Sequence, residues 1–353
     1  DHVNKASSVF AKAHILRGRM KLDKEDGDTV YLDFFDSESP LRNRYQVTQQ
    51  VTMEGSYKNR FDVTILVNGL PLVQIELKRR GLEMKEAFNQ IQRYQKHSFW
   101  SGHGLFRFVQ LFVISNGVNT KYYANAAKQS FKQTFYWAEK DNTTIRELTP
   151  FAEAFLNRQH LGTMIGKYIV LNETDKILMV LRPYQYYATE AIVQRVINPP
   201  PSNANGYIWH TTGSGKTLTS FKAAQIMTGL DSVHKVVFCV DRRDLDDQTI
   251  REFNGFSAGS VDSTDNTNTL VKQFSDSSTK LIVTTLQKLN TAISKQRYLQ
   301  QMTPLQNERI IFIFDECHRS QFGDTHRRIS EFFHQHQMFG FTGTPIFAEN
   351  AAS

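Results

Sequence analysis

The sequence predicts an α/β protein of two tandem domains: an α+β domain over residues 1–170 and a parallel-sheet domain over residues 171–353. Three observations support this prediction. A chain of 353 residues is long enough for two domains of ordinary size. The first part contains neighbouring strand-like segments joined by a tight-turn signal, Asn68-Gly69. From about residue 175 onward, short apolar segments alternate with helical stretches, which is typical of a parallel sheet covered by helices on both faces.

The N-terminal elements follow from hydrophobic pattern and from start and stop signals. The predicted elements are, in order, strands at 61–67 and 72–77, a helix at 83–96, a buried strand at 107–115 and a helix at 149–170 that connects the domains.

The C-terminal elements are predicted in the same way. The candidate strands are residues 207–209, 236–240, 281–284, 310–314 and 338–341. Residues 199–201 and 257–269 are rich in Pro or in Ser, Asp, Asn and Thr, and they are predicted to be loops.

Composition restricts the class of protein without identifying it. Hydrophobic residues make up 40% and charged residues 22% of the chain, as in globular rather than disordered proteins. The net charge of +7 is compatible with a polyanionic partner, although many basic proteins have none. No apolar segment is long enough to span a membrane, and the polar N-terminus is not a secretory signal.

The chain has two cysteines, Cys239 and Cys317, which lie in or just after apolar segments and are expected to be small buried residues. Two thiols do not form a disulfide scaffold, and no Cys/His cluster has zinc spacing. A reducing cytoplasm is therefore the expected location. The sequence lacks an initiating Met, so it is expected to be processed or to be a fragment.

Residues 211–217 read Thr-Thr-Gly-Ser-Gly-Lys-Thr, follow an apolar strand and begin a helix, which is the context of a phosphate-binding loop. Glycines let the backbone approach the phosphates, and the amides at the helix N-terminus face the anion. Lys216 would reach the β- and γ-phosphates, and the Thr217 hydroxyl would bind Mg²⁺. The alternative is a fortuitous Gly-Lys-Thr in a surface turn. The candidate ATP-binding residues of this loop are Thr212, Gly213, Ser214, Gly215, Lys216 and Thr217.

The apolar segment 310–314 leads directly into Asp315-Glu316. A buried strand that ends in two carboxylates places them at the carboxyl edge of the sheet, beside the phosphate loop. Asp315 would hold Mg²⁺, and Glu316 would polarise the attacking water.

These motifs together resemble superfamily-two helicases and translocases. Asp-Glu-Cys-His at 315–318 resembles their second motif, and Thr-Gly-Thr-Pro at 342–345 resembles the third. Val-Thr-Thr-Leu-Gln at 283–287 resembles an element that contacts the DNA backbone. Arg182-Pro-Tyr-Gln185 resembles the adenine-reading element, which implies that Arg182 and Gln185 contact the nucleotide.

The resemblance implies a second RecA-like lobe carrying an arginine finger, which this sequence does not contain. Loss of such a group lowers the rate on the order of 10³-fold or more. We therefore expect this chain to bind ATP but not to hydrolyse it or translocate at a useful rate.

A second candidate site lies in the N-terminal domain. Glu76 and Lys78 are two residues apart on a strand, so their side chains share a face, and Asp62 lies near the start of the preceding strand. Two carboxylates that converge on Mg²⁺, with a lysine beside them, suit phosphodiester hydrolysis, because the ion generates hydroxide and Lys78 orients water or stabilises charge. The alternative is a solvated strand face.

The register of this hairpin leads to a sharper prediction. A regular two-residue turn at Asn68-Gly69 would pair Asp62 with Ile75 and direct it away from Glu76. For Asp62 to join the site, the hairpin must have either a three-residue loop, 68–70, or a β-bulge between Asp62 and Glu76.

Gln90 and Tyr94 lie one turn apart on the following helix and share a face. The complete set resembles the PD-(D/E)xK nuclease core with the Gln-x-x-x-Tyr element of RecB-like nucleases and of the restriction subunit of type I restriction-modification enzymes. Arg60-Phe61 stands where that core usually has Pro. The resemblance implies that Gln90 and Tyr94 position DNA or the lysine; an exposed helix face is the alternative.

The family resemblance implies an endonuclease that cuts double-stranded DNA, translocates DNA with ATP and Mg²⁺, and works with methyltransferase and specificity subunits. The basic residues 78–80, Lys85, Arg93 and Lys96 are candidates for phosphate neutralisation, or else a solvated charged face. Two rivals stay open: another nuclease–helicase of DNA repair or phage defence, and a non-catalytic, ATP-gated DNA-binding module.

Overall fold

The computed structural model describes residues 6–54, 58–99, 104–126, 129–202, 204–211, 213–240, 254–255, 266–315 and 322–343. The chain divides into two compact units, residues 1–184 and 185–353. The boundary expected at residue 170 lies inside the first of these units.

In chain order the first unit comprises α1 (Val9–Arg17), β1 (Arg19–Asp23), β2 (Thr29–Asp33), β3 (Tyr45–Glu54), β4 (Lys58–Val67), β5 (Leu70–Leu77), α2 (Met84–His97), β6 (Leu111–Ser115), β7 (Thr120–Ala124), β8 (Trp137–Ala138), β9 (Thr144–Ile145), α3 (Leu148–Phe155), α4 (Arg158–Thr163), a π-helical turn (Met164–Tyr168), β10 (Ile169–Asn172) and β11 (Ile177–Val180). Short 3-10 helices lie at Pro40–Arg42, Leu105–Phe108 and Phe131–Gln133. Helix α5 (Pro183–Ile197) leads into the second unit.

The main sheet of the first unit has the order β3-β4-β5-β6-β7. Strands β5 and β6 are parallel, because α2 connects them as a crossover, and the other neighbours are antiparallel. Helix α2 covers one face of this sheet with a core that includes Phe88, Ile91, Tyr94 and Phe112. The predicted strands 61–67 and 72–77 and the predicted helix 83–96 are thus confirmed in type.

Two predicted elements of this unit are wrong in part. The segment 149–170 forms two α-helices and a π-helical turn rather than one helix, because Asn157 stops α3 and its side chain caps α4 by accepting the N–H of His160. The predicted strand 107–115 begins only at Leu111, since Gly104 adopts a left-handed φ of 63° and starts a 3-10 turn over Leu105–Phe108.

The second unit comprises, after α5, β12 (Gly206–Trp209), α6 (Lys216–Thr228), β13 (Lys235–Val240), α7 (Thr267–Ser275), β14 (Leu281–Thr285), α8 (Leu286–Ser294), α9 (Gln296–Met302), a 3-10 helix (Thr303–Leu305), β15 (Ile310–Phe314), α10 (Phe322–Phe332) and β16 (His336–Thr342). Its sheet has the order β12-β16-β15-β13-β14, and every pair is parallel. The predicted α/β class and parallel sheet are confirmed.

The central strands of this sheet are apolar along their whole length because both faces are covered. Strands β13 and β15 are buried at every position. Cys239 is buried in β13, as expected, whereas Cys317 lies outside the described residues. In the part of the chain that the structure describes, no helix combines the length and apolar character needed to cross a membrane.

Candidate active site

The β4–β5 hairpin has the bulge that the sequence predicts. Asn68 and Gly69 form a two-residue turn with φ of 52° and 82°, so that Val67 pairs with Leu70. The register then shifts between Ile65 and Leu66, and beyond the shift Val63 pairs with Ile75. β5 therefore has one extra residue, which moves the following side chains to the opposite face. Glu76 then lies on the same face of the hairpin as Asp62.

Asp62 lies against the end of β5. Its Oδ2 atom accepts a hydrogen bond from the backbone N–H of Leu77 at 2.9 Å. Leu77 separates Glu76 from Lys78, so the contact holds the Asp62 carboxylate beside both of these residues. The structure thus brings the three predicted residues together.

Glu76 is fully buried, and its electrostatic environment is unusual for a carboxylate. Burial, and after it the nearby Asp62 charge, raises the pKa of Glu76 to about 8, while Lys78 acts in the opposite direction. The Oε1 atom lies 3.2 Å from the Lys78 Nζ atom. Within the described residues, the buried Oε2 atom has no hydrogen-bond partner.

A chain of hydrogen bonds runs from Lys78 to helix α2. The Lys78 ammonium donates to the Gln90 side-chain oxygen, and the Gln90 amide donates to the Tyr94 hydroxyl. Tyr94 in turn donates to the carbonyl of Arg60 at 3.0 Å. Tyr94 is only 3% exposed, and burial raises its pKa to about 12, so it stays a neutral donor. Gln90 and Tyr94 therefore do not form the exposed helix face that was the alternative from the sequence.

These residues suit a divalent cation. The acidic groups here are two, Asp62 and Glu76, and among the described residues no set of three or more His, Cys, Asp or Glu side chains is grouped as a metal site. The pKa of Glu76 stays raised although Lys78 contacts its Oε1 atom, and its buried Oε2 atom has no hydrogen-bond partner among the described residues, so a cation at Oε2 would offset the cost of burying this charge. Hard oxygen ligands of this kind fit Mg²⁺.

A neighbouring polar pair, Thr64 and Gln74, was not predicted from the sequence. Thr64 and Gln74 are fully buried on the β4–β5 hairpin, and the Thr64 hydroxyl donates to the Gln74 side-chain oxygen at 2.7 Å. The alternation of polar residues at Gln74, Glu76 and Lys78, along β5 and directly after it, is the sequence signal that would have indicated Gln74.

The second candidate site lies at the carboxyl edge of the parallel sheet. Gly213 and Gly215 have φ of 77° and 80°, which other residues rarely adopt, and Gly215 caps α6 immediately before Lys216. Thr217 follows in the first turn of that helix. Burial, and then the Lys216 charge, lowers the pKa of His210, so this residue is neutral at the entrance to the loop.

Two other predicted nucleotide contacts belong to different compact units. Gln185 is 4% exposed, and its amide donates to the carbonyls of Ser214 at 3.1 Å and Gly215 at 3.4 Å. Arg182 belongs to the first unit, where its guanidinium lies over the Phe135 ring. Gln185 therefore contacts the phosphate loop itself, a role that the sequence reasoning did not foresee.

Asp315 follows β15, and its backbone N–H donates to the Cys239 carbonyl at 3.1 Å. Because β12 and β15 are in one parallel sheet, Asp315 and the loop after β12 lie at the same edge. Thr212 and Glu316, both predicted site residues, lie outside the described residues, as do Cys317, His318 and residues 344–345.

Comparison with known families gives two matches, which cover separate parts of the chain. Residues 5–131 match the family described as type I restriction enzyme R protein N terminus. Residues 184–353 match the SWI2/SNF2 ATPase family. The family boundaries thus place the Asp62 site in one match and the phosphate loop in the other.

Individual relatives give the same result. A type I restriction enzyme endonuclease subunit of Staphylococcus aureus strain MSSA476 is 52% identical over 346 residues, which cover 98% of this chain and 36% of the relative. A Mycoplasma pneumoniae protein, described as the C-terminal part of such a subunit, is 45% identical over 206 residues, which cover 56% of this chain and 99% of that protein. An Escherichia coli endonuclease subunit is 47% identical over 175 residues, 49% of this chain and 56% of the relative.

Proposed function

Because this chain belongs to the family of type I restriction enzyme endonuclease subunits, we propose that its first unit is a PD-(D/E)xK-type nuclease that hydrolyses double-stranded DNA and that its second unit binds ATP. The resemblance to type I restriction enzyme subunits that was drawn from the motifs is thereby confirmed. The chain spans 36% of the length of the Staphylococcus aureus relative, so the activities of the whole enzyme are part of the proposal.

The observation that carries the nuclease proposal is the convergence of Asp62, Glu76 and Lys78 at the end of the β4–β5 hairpin. Asp62 and Glu76 would hold Mg²⁺. When bound, the ion supplies a hydroxide nucleophile and neutralises charge on the phosphate. Lys78, held by Gln90, would orient the attacking water and donate to the phosphate as its charge grows.

For the second unit we propose ATP binding at the loop from Thr212 to Thr217. The amides at the start of α6 and the Lys216 ammonium would hold the phosphates, and Thr217 and Asp315 would hold the nucleotide's Mg²⁺. Glu316 would polarise water, while Gln185 and Arg182 would contact the base. The left-handed glycines at 213 and 215 support this proposal, because they let the backbone approach a phosphate.

In the full-length enzyme, we propose that ATP-driven translocation brings DNA to the nuclease site, in the cytoplasm. The partners would be methyltransferase and specificity subunits that recognise the target sequence. Relatives named as subunits of type I restriction enzymes support this assignment over a repair nuclease–helicase.

Plasmid nicking in Mg²⁺ tests the nuclease proposal. Loss of a ligand that stabilises charge by several kcal/mol lowers the rate by about 100-fold or more. Asp62→Ala should therefore abolish nicking, whereas Asp33→Ala, which removes an exposed acid of β2, should not. Nicking by Asp62→Ala at the rate of Asp33→Ala would overturn the assignment of Asp62. Absence of nicking by the unaltered chain would leave the non-catalytic DNA-binding module as the better description.

The division into two sites is tested in the complete subunit. Lys78→Ala should stop cleavage and leave DNA-stimulated ATPase activity intact, because Lys78 and the phosphate loop lie in different units. If both activities disappear together, the assignment of separate sites is wrong.

A further inference from the structure

Gln50, in the middle of β3, has a φ of 58°. This left-handed conformation is uncommon for a residue with a side chain, and glycine or asparagine adopts it at lower cost. Backbone strain of this kind persists where the surrounding structure enforces it, and it is concentrated at functional sites.

Gln50 lies opposite Asp62. The β3–β4 pairing has the same register on either side of it, since Gln49 pairs with Val63 and Val51 pairs with Phe61. The strained residue therefore adds no length to the strand. It coincides with the position of the candidate catalytic acid on the neighbouring strand.

The regular alternation of side chains between the two faces of the β3–β4 pair is interrupted at this point. On one side of Asp62, Phe61 is fully buried under α2, with its ring 4.8 Å from that of Tyr94. On the other side, the Thr64 hydroxyl donates a hydrogen bond to the side-chain oxygen of Gln74, which lies on the same face of β5 as Glu76. The local distortion thus allows Phe61 to support Tyr94 while Asp62 reaches the N–H of Leu77.

The Gln50 side chain does not contribute to this packing. It is exposed on the edge strand of the sheet, and no hydrogen bond joins it to another described residue. A purely conformational role would be better filled by glycine, so a glutamine here retains a side chain at a cost in stability. An exposed amide next to an acidic site is a donor available to a phosphate oxygen.

We propose that Gln50 is a substrate-contacting residue whose side-chain N–H donates to a phosphate oxygen of the DNA strand bound at Asp62, Glu76 and Lys78. This inference rests on the proposed nuclease function. It adds a DNA contact on the edge strand, on the opposite side of Asp62 from Lys78.

The test compares Gln50→Gly and Gln50→Glu with Gln46→Gly in the 353-residue chain. Gln46 is an exposed glutamine of the same strand without a left-handed φ, so it is a matched control. Binding is measured with a labelled DNA duplex in Ca²⁺, and stability is measured as Tm.

Gln50→Gly should raise Tm and weaken duplex binding about 10-fold, since a hydrogen bond to a charged group is lost. Gln50→Glu should weaken binding further, because a carboxylate replaces the donor. Gln46→Gly should lower Tm and leave the duplex Kd unchanged.

An unchanged Kd for Gln50→Gly would overturn the inference, as would a Gln50→Glu variant that binds no worse than Gln50→Gly. A lower Tm for Gln50→Gly would overturn the claim of strain on which the inference depends. Failure of the unaltered chain to bind the duplex would also overturn the inference. If the unaltered chain binds the duplex but does not nick plasmid DNA, the proposed cleavage fails, and the comparison of Kd values still decides the role of Gln50.

Discussion

The Asp62 carboxylate accepts the backbone N–H of Leu77 at 2.9 Å, which fixes an acid of β4 to the last residue of β5, between Glu76 and Lys78. The bond joins the Oδ2 atom of Asp62 to the backbone of β5. Asp62 and Glu76 are therefore positioned by the strands of a hairpin, and Lys78 directly follows the second strand. Such a rigid support suits a site whose groups must keep their geometry.

Gln90 is predicted to position Lys78 rather than to bind DNA itself. Gln90→Ala should lower the rate of plasmid nicking by about 10- to 100-fold, as for other residues that orient groups at a metal site. Tyr94→Phe should have a smaller effect in the same direction, because it removes only the hydroxyl that holds Gln90. Duplex binding in Ca²⁺ should change little in either variant. A large loss of binding with an unchanged single-turnover rate would show that the pair contacts DNA instead.

Glu76 should give the protein a distinctive pH dependence. Its pKa is near 8 in the folded state, against 4.5 for an ordinary glutamate, because burial and then Asp62 disfavour the charged form. Without divalent ions, the folded state therefore holds a proton that the unfolded state has released between these values. The free energy of unfolding should fall as pH rises through this window.

Denaturation in EDTA at pH values on either side of neutrality measures this effect. Glu76→Gln keeps the shape of the side chain and cannot ionise, so its stability should depend less on pH than that of the unaltered chain. Ca²⁺ added at the higher pH should stabilise the unaltered chain more than the variant. Equal pH dependence in the two chains would contradict the raised pKa.

Gln185 is predicted to stabilise the phosphate loop. Its amide bonds to the carbonyls of Ser214 and Gly215, so Gln185→Ala should leave the loop less ordered and weaken ATP binding about 10-fold. Binding of a fluorescent ATP analogue measures the change. Gln194→Ala, an exposed position of the same helix α5, is the control and should bind normally. Equal affinities in the two variants would remove Gln185 from the nucleotide site.

Arg79 and Arg80 are exposed immediately after Lys78, where they could neutralise DNA phosphates. If each contacts one phosphate, replacing both by Ala should reduce the slope of log K against log salt by about 2. The matched pair Lys21→Ala and Lys24→Ala removes the same charge at residues already paired with Asp23 and Asp26. The same slope change in both pairs would indicate only a general effect of net charge.

The bulge was predictable from the sequence because two facts conflicted: the turn signal at Asn68-Gly69 required one register and the site required another. The distortion at Gln50 was not predictable, since nothing in a glutamine indicates a left-handed φ. The contact between Gln185 and the phosphate loop was hidden for a similar reason, as it joins segments that are distant in sequence. The interruption at Asn157 was missed because a helix-capping side chain and a solvent-facing one look alike in sequence.

The bulge also leads to an expectation about the hairpins of homologues. Asp62 and Glu76 stand an even number of positions apart, whereas a two-residue turn without a bulge would bring together residues an odd number apart. A homologue could lengthen its turn by one residue and dispense with the bulge while keeping the same parity. Among homologues, a longer turn should therefore replace the bulge. A single-residue insertion that makes the separation of the two acids odd should be tolerated only in copies that have lost cleavage.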